Sequence, residues 1–150
     1  MMHQEISNLL NKAEANLQLA EREQMRPNED SVTFSICHAA NHSIKDLLMA
    51  FLIYHHGAEL NSLKSLEDFN KKYIDASVEQ LISECQLIDD RFADIDLSVL
   101  NCSASNNNDH HLYCLSHEHV SKCAQLARNL QTLVLSYIDL NELLENSPAY

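Results

Sequence analysis

Apolar residues recur every three to four positions over most of the chain, the period of an amphipathic helix. Over 3–25 the stripe is Ile6, Leu9, Leu10, Ala13, Leu17 and Ala20. Arg26-Pro27-Asn28 breaks it, and Asn28 or Asp30 can cap a second helix over about 30–56. That helix is predicted to end at Gly57, the one glycine in the chain, where a left-handed residue is wanted. Its first half is small and polar, whereas Leu47 to Tyr54 is apolar on every side. A helix apolar all round is buried all round. It is therefore expected to be central, or to meet a second subunit.

Ser62 or Ser65 opens a short helix over about 65–74 with Leu66, Phe69 and Tyr73. Ser77 opens a fourth helix reaching about residue 92, with the stripe Val78, Leu81, Ile82, Cys85, Ile88 and Phe92. No stripe runs through 93–115, and 101–109 (NCSASNNND) reads as an exposed loop. Ser116 caps a long last helix carrying Val120, Cys123, Ala124, Ala127, Leu130, Val134 and Ile138. Leu126, Leu133, Tyr137 and Leu140 widen that stripe beyond the needs of one partner helix. No strand pattern competes. The expected fold is all-α, an antiparallel up-and-down four-helix bundle with an additional short helix. One domain covers 1–150, with its core over about 3–145.

Composition and charge narrow the function. Ten Lys and Arg against 22 Asp and Glu give a net charge of −12. Strong nucleic-acid binding is not expected, because its affinity comes from neutralising phosphates with cations. A single glycine cannot build a phosphate-cradling loop. The N-terminus has no secretory pattern. The longest apolar run falls far short of the roughly 20 residues that span a bilayer. Five cysteines without a CxxC pair read as reduced thiols, so a cytoplasmic protein without membrane contact is expected.

The segment FSICHAANHSIKDLLMAFLIYHHG, residues 34–57, resembles the second helix of the HEPN family. The resemblance continues through Lys45, the short-helix stretch LKSLEDF at 63–69 and the last helix at 113–137, covering about 3–140. It implies a bundle of four to five helices and commonly a homodimer. It also implies cytoplasmic bacterial settings, such as pairing with a minimal nucleotidyltransferase or a role in stress or defence systems of the toxin–antitoxin kind. The chain departs from the family at Ala40-Asn41, where a Gln-rich step is usual. It departs again at Ile44, where an acidic residue usually precedes the lysine, and at Lys64, near where a histidine is often found. Ribonuclease members carry an arginine followed four to six residues later by a histidine in the last helix. Arg128 is followed by NLQTLVLSYI and Arg91 by FADIDLSVL, and Arg22 and Arg26 lead only into the first break. The ribonuclease motif is absent, and no catalytic residue is carried over.

Two constellations remain. His38 and His42 stand four apart on one helical face, with Asn41 and Lys45 beside them. This face is the expected ligand-binding surface for a small polar or anionic molecule, with Lys45 as its cation. It lacks the Glu of an HExxH motif. The second is the donor cluster His110, His111, Cys114, His117 and His119. These are zinc-type ligands, but their spacing matches no zinc finger or ribbon. The expectation is therefore no cofactor, with zinc or another divalent metal at this cluster as the alternative. His55 and His56 suit the negative end of a helix, and the Asp89, Asp90, Asp94 and Asp96 carboxylates read as a solvated face. The leading functional expectation is a non-catalytic interaction or ligand-binding module. The alternative is a ribonuclease or metal-dependent enzyme using the histidines.

Overall fold

The computed structural model describes residues 2–25, 33–57, 59–60, 62–95 and 117–138. Most of these are helical, with no strand among the described residues. The α-helices are α1 (Met2–Gln24), α2 (Thr33–His55), α3 (Leu63–Tyr73), α4 (Val78–Ile88) and α5 (His117–Tyr137), with a 3-10 turn at Asp90–Asp94 before α5.

Local chemistry explains the starts of the short helices. Ser62 caps α3, accepting from the Ser65 backbone N–H while Ser65 Oγ accepts from the Ser62 N–H. Ser77 and Gln80 do the same for α4 at 3.1 and 2.8 Å. The fourth helix is shorter than its stripe predicts. It stops at Ile88, and Asp89 leaves helical geometry to cap the 3-10 turn through the Arg91 N–H. Phe92 still reaches the core, but from that turn.

The end of α2 differs from the sequence expectation. Among the described residues none has a positive φ, Gly57 included. Right-handed turns carry the chain onward instead, with N–H to carbonyl bonds from His56 to Leu52, Gly57 to Tyr54 and Leu60 to His56. The last carbonyls of the helix are thus satisfied without a left-handed residue.

α2 is the central helix, packing against α1, α4 and α5. It lies antiparallel to α1 with Ser43 facing Ala13, whose carbonyl accepts from Ser43 Oγ at 2.9 Å. That bond satisfies the one fully buried polar side chain among the described residues. Against α5, α2 runs parallel. Cys37 meets Cys123 near one end, and Phe51, Tyr54 and His55 meet Tyr137 near the other.

Leu47, Leu48, Ala50, Phe51, Leu52 and Ile53 are all fully buried within a single chain. Leu126, Leu133 and Tyr137 lie half-buried against the same core. The apolar run of α2 is therefore covered within one chain, while the widened stripe of α5 is covered in part, and Leu140 lies outside the described residues. Of the two alternatives that the sequence left open for α2, the central position is the one observed.

Candidate functional site

The first half of α2 places His38, Asn41, His42 and Lys45 on one face, as their three- and four-residue spacing requires. The His38 and His42 rings meet edge to face with centroids 4.4 Å apart and Nε2 atoms 3.1 Å apart. One proton shared between these nitrogens makes a hydrogen bond. Both rings are exposed, while Asn41 and Lys45 are half-buried. Asn41 donates from Nδ2 to the Cys37 carbonyl at 3.0 Å, one turn back. The structure thus brings together the residues expected from the sequence on a solvent-facing surface.

It also adds two residues. Asp46 stands four positions after His42, near Lys12 of α1. Burial pushes its carboxyl above the ordinary 3.8, against the pull of Lys12, His42 and Lys45. Lys12 and Lys45 thus both act on the Asp46 carboxyl, on a chain of net charge −12. The i+4 step from His42 to Asp46 was readable in the sequence. The approach of Lys12 depends on how α1 packs.

A second polar cluster joins α1 and α5. Arg128 donates from Nε to Glu21 at 3.1 Å and from Nη2 to the other Glu21 oxygen. Its Nη1 donates to Glu14 at 3.0 Å and to Gln131 Oε1 at 2.6 Å. Gln131 closes the ring, donating to Glu14 at 2.7 Å. The Glu21 hydrogen bond, and then Glu14, push Arg128 further above its ordinary value. Hydrogen bonds from Arg128 and Gln131 hold Glu14 below its usual 4.5. The one arginine of the last helix is therefore committed to internal carboxylates rather than presented to a phosphate.

Of the predicted donor cluster, His110, His111 and Cys114 lie outside the described residues. His117 and His119 fall in the first turn of α5, but their side chains lie outside them as well. The predicted loop at 101–109 and Asp96 are also outside. Among the described residues no group of three or more His, Cys, Asp or Glu is arranged to hold a metal ion. His55 Nδ1 lies 3.1 Å from Tyr137 Oη, and His56 pairs with Glu59 at 3.4 Å, both at the end of α2. Asp89 is taken up by Arg91, whose Nη2 donates at 2.8 Å. That hydrogen bond holds the Asp89 carboxyl below its ordinary range.

No family model, curated protein or solved structure matches the chain. Among the described residues no helix is long and apolar enough to cross a membrane.

Proposed function

We propose that this chain is a non-catalytic, HEPN-like helical bundle. It binds a small anionic ligand on the polar face of α2 and acts through a protein partner. The observation that carries the reading is the engagement of Arg128. A general acid–base cleavage of RNA needs a cation on the phosphate and an imidazole within reach of the reacting oxygen. Arg128 instead holds Glu14 and Glu21, and no histidine follows it at the ribonuclease spacing. Lys45, on the face that carries His38 and His42, and Lys12, which acts with it on Asp46, support an anion on α2.

By resemblance to the family, the partner is a minimal nucleotidyltransferase or another component of a cytoplasmic stress or defence system. The homodimer belongs to the same reading and rests on the resemblance alone.

Titration calorimetry with inorganic phosphate and with a nucleoside triphosphate tests the ligand half. Saturable binding that weakens several-fold in Lys45→Gln is expected. Absence of binding to either probe removes it. Incubation with structured and single-stranded RNA tests the other half. Cleavage that disappears in Arg128→Ala or His42→Ala establishes the enzymatic alternative in its place.

A further inference from the structure

Cys37 on α2 and Cys123 on α5 place their sulfurs 3.8 Å apart in the core, with no side chain between them. The two thiols are held by different helices, 86 positions apart in the chain. Because α2 and α5 run parallel here, both Cα–Cβ bonds tilt toward the same end of the molecule. One turn further along each helix stand Ala40 and Ala127, both fully buried. Small residues on the seam let the two backbones approach closely. A disulfide has sulfurs about 2.05 Å apart, so closure asks for a movement of roughly 1.8 Å.

We infer that Cys37 and Cys123 form an oxidisable dithiol, converted by a hydroperoxide into a disulfide that ties the central helix to the last one. The inference is independent of the ligand proposed for the polar face of α2.

The order of events follows from access. Cys37 is 6% exposed and Cys123 is sealed, so the peroxide meets Cys37. The hydrogen bond with Cys123 pulls the Cys37 thiol below its ordinary 9.0 against its burial, and the same contact together with burial pushes Cys123 up. The Cys37 sulfur attacks one peroxide oxygen. The O–O bond breaks, an S–O bond forms, and the departing hydroxide leaves as water with the proton from Cys37. The Cys123 sulfur then attacks the sulfenic sulfur, the S–O bond breaks and the S–S bond forms. The second hydroxide leaves as water with the proton from Cys123. Two thiols are oxidised by two electrons and one hydrogen peroxide is reduced to two waters. Cys85, buried with its thiol pushed up to about 12, is the internal comparison and stays reduced.

The test treats the full chain with hydrogen peroxide under native conditions and maps the peptides without reduction. The expected result is the loss of two titratable thiols and of two hydrogen atoms in mass. The Cys37 and Cys123 peptides are joined, and dithiothreitol restores both thiols. Cys37→Ala and Cys123→Ala, each shown folded by circular dichroism, must each abolish the bridge, while Cys85→Ala must keep it. A bridge to another cysteine overturns the inference. Over-oxidation of Cys37 without a bridge, or joining only in urea that unfolds the chain, overturns it equally.

Discussion

The guanidinium of Arg128 lies fork to fork against the carboxylate of Glu21, with Nε bonded to one oxygen and Nη2 to the other. Paired in this way, the arginine fixes the register of α1 against α5, because both hydrogen bonds demand one planar geometry. The remaining Nη1 is shared by Glu14 and Gln131. The same contacts that tie the helices together remove the cation on which phosphate chemistry in α5 would depend.

Replacing Arg128 with Met leaves Glu14 and Glu21, two turns apart on α1, without their counter-charge. The three side chains are 31–41% exposed, so solvent screens much of the interaction. A loss of about 1 kcal/mol is expected rather than the larger penalty of a dry ion pair. Urea midpoints of the two proteins measure it, and the gap narrows in high salt.

Acid acts on Glu14 and Asp46 in opposite directions. Glu14 is held below 4.5 in the fold, so its contribution is present above that value and is lost as pH falls through the folded pKa. Asp46 is raised above 3.8, so the folded state carries an unfavourable buried charge at neutral pH. That penalty is relieved as pH falls through its folded pKa. Asp46→Asn is expected to raise stability at neutral pH and to lose that advantage at acid pH. Glu14→Gln is expected to lower stability at neutral pH and to converge on the unaltered protein below 4.5. Denaturation midpoints measured across this range check both.

Phe51 is fully buried, with its ring centroid 4.6 Å from that of Phe92 and 4.4 Å from that of Tyr137. It joins α2 to the 3-10 turn and to the end of α5. Phe51→Ala opens a cavity that three separate segments must close, and a loss of about 3–5 kcal/mol is expected. Chemical denaturation reads it directly.

Ser77 and Gln80 satisfy one another's backbone N–H groups at the start of α4. Ser77→Ala removes one acceptor and is expected to cost about 1 kcal/mol. Gln80→Ala removes the reciprocal bond, and the double variant should show less than the sum, since the pair acts as a unit. Thermal unfolding of the three variants measures the coupling.

Much of the architecture was legible along the chain because it depends on neighbours three and four positions apart. The stripes of α1, α2, α4 and α5, the Ser77 cap and the shared face of His38 and His42 all follow from that spacing. The break at Asp89 was harder to see. Phe92 continues the stripe of α4, and only the capping of the 3-10 turn by Asp89 shows that the helix has already stopped.

What the sequence determined by itself is therefore the helical character of the described residues and the burial of most of the run Leu47 to Tyr54, in which Met49 and Tyr54 stay half-buried, since these are set by local periodicity and by the transfer of apolar groups out of water. Tertiary structure decided which chain covers that run, where the charge of Arg128 goes, that Lys12 approaches Asp46, and that Cys37 meets Cys123. Each of these pairs residues from different helices, about 30 to more than 100 positions apart. No local pattern encodes such a meeting, because it depends on how rigid helices pack against one another in three dimensions.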